Sequence, residues 1–270
     1  MAKKALITVV IPTYNRAKYL PRTIRSVQNQ TFKNWELLIM DDGSTDQTRQ
    51  VVKRFMSDPR IRYVRHKRNK GVCYSLNHAL NLVRTKYFSQ LDSDDWYSRD
   101  TLKRCVKKME KAGAKAAVAY GHERVYKVDR KGRLMSRKLK RKPVFKGKYD
   151  FITYRHMFYP RFYLTKALKR VKGWSTKVPM GGRYAEDRQI LLKLAGHYKF
   201  IRVNKVLYNR LQHKNNNSRR SNRLKYAKVT RYLYTNALKK WGGQYRPVFK
   251  WVSGRLKVGK LIRIKRRRRK

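Results

Sequence analysis

The chain has 270 residues, with 72 Lys and Arg against 15 Asp and Glu and a formal net charge of +57. That length suits one large α/β domain or a domain with an appendage, and a 41% hydrophobic, 12% aromatic composition excludes a disordered chain. No run approaches the ~20 apolar residues of a membrane-spanning helix, and Met1-Ala2-Lys3-Lys4 opens no secretory signal, so a cytoplasmic protein is expected.

Leu6 to Ile11 is a continuous β-rich run closed by Pro12. A helical period follows from about Lys18 to Asn29, with Leu20, Ile24 and Val27 on one face. Trp35 to Met40 reads as a second strand, ending at Asp41-Asp42-Gly43. Ser44-Thr45-Asp46-Gln47 has the form of a capping box opening a helix to about Met56. Ile61 to Val64, Ser75 to Val83, Tyr87 to Leu91 and Ser98 to Lys111 continue the strand–helix alternation. Such βα units imply a mostly parallel sheet covered by helices on both faces, with ligands beyond the carboxyl ends of its strands.

After Ala116 the pattern changes. Ala116 to Tyr120 reads as a strand, and Glu123 to Val128 with Leu134 reads as a hairpin around Asp129-Arg130-Lys131-Gly132. Residues 136 to 160 read as irregular, basic and aromatic. Thr165 is placed to cap a short helix to Val171, and Glu186 to Ala195 is helical. Lys199 to Val203 and Val206 to Tyr208 read as short strands. Ser221 to Trp241 reads as a basic helix burying Leu224, Ala227, Tyr234, Leu238 and Trp241. Cys73 and Cys105 stand apart without metal-ligand spacing and read as buried, reduced thiols.

Three acidic islands stand out of this basic chain: Asp41-Asp42, Asp92-Ser93-Asp94-Asp95 and Glu186-Asp187. Adjacent carboxylates repel unless a cation, a donor or a proton settles them. The second island follows a strand and has the make-up of a site for a hard divalent cation; its alternative is a turn and helix N-cap. Tyr14 at a strand end is placed either to stack on a flat base or to pack. Asp41 or Asp42 is placed to accept from a base N–H, or simply to shape a turn.

Together, Val10 to Arg16, Ser26 to Phe32, Glu36 to Asp46, Asn69-Lys70-Gly71, Leu91 to Asp95 and Glu186-Asp187 resemble the family 2 glycosyltransferases of the GT-A fold. The resemblance spans roughly residues 5 to 215 and points toward bacterial cell-surface and spore-coat polysaccharide enzymes. It implies that Pro12, Thr13, Tyr14 and Arg16 belong to the loop that holds the nucleobase, with Tyr14 stacking on it. It assigns Asp42, with Asp41 beside it, to the base, and Arg68, Asn69 and Gly71 to the wall of the nucleotide pocket. Asp92 and Ser93 would lie by the ribose. Asp94, with Asp92, would hold Mn²⁺ or Mg²⁺ against the diphosphate of a nucleotide-diphosphate sugar, UDP- or dTDP-linked by preference. Asp187 would be the general base of an inverting transfer to a hydroxyl of a glycan, glycolipid or similar acceptor.

The Gln-x-x-Arg-Trp motif of processive synthases is absent, which points to single addition. In its place stands Tyr208-Asn209-Arg210-Leu211-Gln212-His213, then Asn215-Asn216-Asn217-Ser218. His213 either approaches the metal or lies on the surface, and Trp174 either meets the acceptor or packs in the core. A domain of residues 1–215 is expected, its nucleotide half 1–115 and its acceptor half 116–215, followed by a basic helical extension, 216–270. Phe249, Val252, Leu256 and Trp251, Val258, Leu261 suit a helix lying on an anionic membrane, or a solvated cap with a tail. The charge predicts association with an anionic polymer or with the inner face of the membrane. The rival reading is a polyanion- or nucleic-acid-binding protein on a decayed transferase fold. A nucleotidyltransferase would need a Gly-rich loop after the first strand, where Pro12 to Arg16 holds no glycine.

Overall fold

The computed structural model describes residues 4–154, 156–213 and 222–264. Asn215 to Ser218, the first residue of the expected final helix and the terminal basic run lie outside the described residues. Among the described residues, eleven strands and eight α-helices alternate through the first half and then become strand-rich. The opening elements are β1 (Ile7–Thr13), α1 (Leu20–Gln28), β2 (Trp35–Asp41), α2 (Thr48–Lys53), β3 (Ile61–Arg65), α3 (Val72–Leu82) and β4 (Tyr87–Gln90). Next come β5 (Trp96–Tyr97), α4 (Thr101–Ala112), β6 (Ala116–Val128), β7 (Leu134–Lys140), α5 (Lys148–Thr153), β8 (Tyr159–Leu164) and α6 (Thr165–Arg170). The chain closes with α7 (Glu186–Ala195), β9 (Lys199–Gln212), α8 (Arg223–Lys240), β10 (Tyr245–Val252) and β11 (Arg255–Arg263).

One large sheet runs β3-β2-β1-β4-β8-β6-β9-β5, with β7 paired to β6. Its first four strands are parallel, as the βα alternation requires. From β8 onward antiparallel pairs enter, with β6 and β9 parallel to each other. Strands buried on both faces read as unbroken apolar runs. The period of two then divides β1: Ile7, Val9 and Ile11 face a core shared with Leu20, Ile24 and Val27 of α1 and with Leu102, Cys105 and Met109 of α4. Val10 faces the opposite core, shared with Leu76 and Leu80 of α3, Ile190, Leu191 and Leu194 of α7, and Val229 and Leu233 of α8. The sheet is therefore covered on both sides, and both cysteines are buried free thiols.

Several elements differ from the sequence reading. The Ser44 capping box does not form: the Ser44 hydroxyl accepts from Asn15 N instead, at 2.9 Å, and Asp46 accepts from Thr48 N at 3.0 Å as α2 begins. The segment read as irregular contains α5 and the start of β8, a central strand. The two short strands expected after Lys199 are one, β9, whose pairing with β6 shifts register near Tyr120 to Glu123. Leu224, expected inside, is 67% exposed. The stretch expected as a membrane-lying helix is an antiparallel hairpin, β10–β11, joined by Ser253 and Gly254, both at positive φ. Two consecutive positive φ values are what a tight two-residue hairpin turn demands. No helix among the described residues is long and apolar enough to cross a membrane.

Candidate active site

β1, β2 and β4 are parallel and in register, so the loops that follow them emerge at one rim. Asp42 N donates to Thr13 O at 2.9 Å, closing the first two loops on each other. Asn15, held at φ 52, accepts from Thr45 N at 2.8 Å through its side chain. The segment carrying Pro12, Thr13, Tyr14 and Arg16 is thereby braced on the Asp41–Asp46 loop. Tyr14 is 43% exposed, leaving its ring available to a flat partner, whereas Thr13 is buried.

Asp41 and Asp42 are both buried and do different work. Asp41 accepts from Ser44 N at 2.8 Å and from the Tyr63 hydroxyl, which together consume both oxygens in shaping the turn. The Tyr63 hydroxyl is held above its ordinary range by burial and by this carboxylate. Asp42 accepts from Lys70 N at 2.9 Å and Gly71 N at 2.7 Å, and sits 2.9 Å from His66 Nδ1. His66 Nε2 lies in turn 2.9 Å from His78 Nδ1. Asp42 thus fixes the Arg68–Gly71 loop, in which Asn69 accepts from Arg183 at 2.6 Å. Arg68 itself is exposed.

The second island splits by burial. Asp95 accepts from Leu211 N at 2.7 Å and is a structural anchor, its carboxyl pushed well up by burial and by Asp94. Ser93 is buried, its carbonyl accepting from the Thr23 hydroxyl at 3.0 Å. Asp94 faces His213, with Oδ2 3.0 Å from Nε2, and Arg16 Nε stands 3.9 Å from the same oxygen. The His213 ring stacks on Tyr19 at 4.6 Å, fixing its direction. A cavity of 540 Å³ lined by Tyr19, Arg22, Arg130 and His213 opens beside them. The Asp94 carboxylate is the ligand type that suits Mn²⁺ or Mg²⁺, and the His213 nitrogen beside it can add to a partial ligand set. Among the described residues no three His, Cys, Asp or Glu side chains form a complete cage. A cation here would therefore draw its remaining ligands from water and phosphate.

Asp92 turns elsewhere, to a residue the sequence reading missed. Arg161, on β8, is 1% exposed at its side chain and reaches Asp92 Oδ1 at 2.5 Å, Asp187 Oδ2 at 3.6 Å and Glu186 Oε1 at 3.8 Å. One buried guanidinium therefore joins the second acidic island to the third. Burial pushes the Asp92 carboxyl up, with Arg161 opposing and Asp94 adding to the rise. Burial and Asp187 push Glu186 up to about 8, against the pull of Arg161. Asp187 accepts from Arg188 N at 2.7 Å at the start of α7, where helix N–H groups favour an anion. Ala185, at φ 55, turns the chain into that helix. Trp174 is core: it is 1% exposed and packs on Phe88 at 5.7 Å.

These contacts sit on a fold found in known proteins. The model of the family "Glycosyl transferase family 2" matches residues 8–191. The chain is 33% identical over 214 residues to a chondroitin synthase of Escherichia coli, covering 79% of this chain and 30% of that protein. It is 37% identical over 102 residues to the putative teichuronic acid biosynthesis glycosyltransferase TuaG of Bacillus subtilis, covering 37% of this chain and 40% of that one. TarS of S. aureus superposes with a TM-score of 0.62 at 22% identity, over 86% of this chain and 39% of that one. A mannosyltransferase of Pyrobaculum calidifontis, solved with GDP-Man and Mn²⁺, gives 0.62 at 19% identity, over 88% and 65%. At those identities the two structures show the fold alone, a GT-A arrangement. The chain spans under a third of the length of the chondroitin synthase, 30%. The family match covers more than half of the chain, and the chain belongs to glycosyltransferase family 2.

Proposed function

We propose that this protein is a metal-dependent, inverting glycosyltransferase that moves a sugar from a nucleotide diphosphate, UDP or dTDP by preference, to a hydroxyl of a surface polysaccharide, glycolipid or other anionic or membrane-borne acceptor. The observation that carries the reading is the chain of contacts His213–Asp94 and Asp92–Arg161–Asp187 along one rim. It supports a reading in which Asp94 and His213 take the cation and Asp187, at a helix start, serves the same site. Solved relatives with UDP, UDP-GlcNAc and GDP-Man with Mn²⁺ support the donor class and the metal.

Tyr14 offers its exposed ring to the base, and Asp42 holds the Lys70–Gly71 backbone that walls the pocket. Asp94 and His213 would hold Mn²⁺ or Mg²⁺, which when bound offsets charge on the departing diphosphate. Asp187 takes the proton of the acceptor hydroxyl as that oxygen bonds to the anomeric carbon and the bond to the diphosphate oxygen breaks. Arg161 fixes the direction of Asp187. The net charge of +57 supports an anionic acceptor. Turnover insensitive to salt, with no binding to anionic vesicles, would remove that last support.

The test is transfer from a panel of nucleotide sugars with and without Mn²⁺, in wild type and in Asp187→Asn. Metal-dependent transfer by wild type that falls at least about a hundredfold in the variant is the expected result. A wild-type protein that binds polyanions but neither UDP nor Mn²⁺ would instead establish the rival, a binding protein on a decayed transferase fold.

A further inference from the structure

His66, the residue after β3, is 7% exposed and links Asp42 to a second histidine. Its Nδ1 lies 2.9 Å from Asp42 Oδ1, and its opposite nitrogen, Nε2, lies 2.9 Å from Nδ1 of His78 on α3. The two rings are nearly parallel, 14° apart. Tyr74, one turn before His78, meets His66 edge-on with centroids 5.1 Å apart, and His78 at 6.5 Å. Lys70 Nζ donates to the Tyr74 hydroxyl at 3.1 Å, while Lys70 N donates to Asp42 at 2.9 Å. The 68–71 loop is therefore tied by its backbone to Asp42 and by a side chain to the ring that edges both histidines.

This row has a fixed capacity for protons. A carboxylate oxygen only accepts, so His66 Nδ1 carries the hydrogen of its contact with Asp42. His66 Nε2 then accepts from His78 Nδ1–H, and His78 Nε2 remains to take up one proton. That proton leaves a single hydrogen between the rings. A second would set two hydrogens into a 2.9 Å gap with room for one, so the row must part. The charged and titratable groups around the pair are Asp42 from β2, Lys70 from the loop, Tyr74 from α3, and Arg183 from the segment before α7, which donates to Asn69 at 2.6 Å. Among these, only Asp42 favours added positive charge. Burial pushes His78 below its ordinary range, and His66 and Lys70 push it further.

Resting on the reading of this loop as the wall of the nucleotide pocket, we propose that His66 and His78 are positioning residues that hold Asp42 and the Lys70–Gly71 backbone for the nucleotide, and release them when both rings are protonated. Joined, the row takes one added proton; parted, its two imidazoles take two below the ordinary histidine value of about 6.5. Each pH unit below that value therefore favours the parted row by about tenfold. The loop is held at neutral pH and loosens in acid.

The test follows amide hydrogen exchange of Lys70 and Gly71, and UDP affinity by calorimetry at fixed Mn²⁺, from pH 7.5 to 5 in wild type, His78→Asn and Tyr74→Phe. The asparagine amide can turn to donate to a neutral His66 or to accept from a protonated one, so that row has no second proton to expel. In wild type, protection of the two amides should fall roughly tenfold per pH unit below about 6.5, while the amides of β1 hold theirs. UDP affinity at pH 5 should fall at least about threefold further in wild type than in His78→Asn, the titration of UDP itself being common to both. Tyr74→Phe keeps both histidines and should keep the wild-type pH course. The same pH course in His78→Asn as in wild type, its loss in Tyr74→Phe, or an equal fall at β1 would overturn the role of the pair. A pH-dependent loop in a protein that binds no UDP at any pH would sink the nucleotide reading and leave the hold of the histidines on the loop standing.

Discussion

Arg161→Met removes the buried cation while keeping most of its volume. The direct contact to Asp92 at 2.5 Å and the two looser ones at 3.6 and 3.8 Å are lost together. Stripping one partner from a buried ion pair costs about 3–5 kcal/mol, because the carboxylates left behind have no cation. At about 2–4 °C per kcal/mol for a domain of this size, Tm should fall by roughly 6–20 °C. The deficit carries a sign in pH. Glu186 already sits at about 8 in the fold against an ordinary 4.5, so it favours the fold at low pH and loses that contribution as pH rises toward 8. Without Arg161 the Asp92 and Glu186 carboxyls rise further, so the deficit should be smallest near the ordinary carboxyl range and largest above pH 8. Thermal melts of wild type and variant from pH 5 to 9 measure this directly, with transfer rates at the same pH values. A Tm within about 1 °C of wild type at pH 8, or a deficit independent of pH, would refute the bridging role.

Asp42→Asn sets a donor NH₂ against Lys70 N, Gly71 N or His66, and UDP affinity should fall roughly tenfold or more by calorimetry as the 68–71 loop loosens. Gly43→Ala forces a side chain at φ +78 to within 2.7 Å of the Arg68 carbonyl carbon, so stability should drop by at least about 1–2 kcal/mol in urea melts. Asp58 is held down to about 2 by Arg60. Its contribution is present above the ordinary aspartate range and lost as pH falls through about 2, which carboxyl NMR titration should show as a midpoint that returns toward 3.8 in Arg60→Gln.

The part of the candidate site that follows β1, β2 and β4 was legible because each chemical residue follows an apolar strand directly. Asp41 ends β2, and Asp92 to Asp95 follow β4, so topology alone set them on one rim. His213 was legible only as an alternative, since nothing local shows that β9 crosses back to Asp94; the stacking on Tyr19 comes from the tertiary fold. Arg161 carried no signal among 72 basic residues, and it sits in a stretch whose strand was not recognised. The clue available was Tyr159 to Leu164 itself, an aromatic and apolar run in which a lone arginine faces two acidic islands. The hairpin was misread because Phe249, Val252 and Leu256 satisfy helical spacing. Phe249 and Trp251, then Leu256 and Val258, also alternate around Ser253-Gly254, and that turn decides for strands. Asp42 was read as a base-holding group; its bonds to Lys70 N and Gly71 N give it a loop-holding part as well, which only hydrogen-bond partners reveal.

The central claim is that Asp94 and His213 hold the cation that secures the nucleotide diphosphate. Its most direct measurement is UDP affinity by calorimetry with and without Mn²⁺, in wild type, Asp94→Asn and His213→Ala. Mn²⁺ should tighten UDP binding at least about tenfold in wild type, and this gain should vanish in Asp94→Asn and shrink in His213→Ala. Equal UDP affinity with and without Mn²⁺ in wild type, or a full gain retained in Asp94→Asn, would contradict the account.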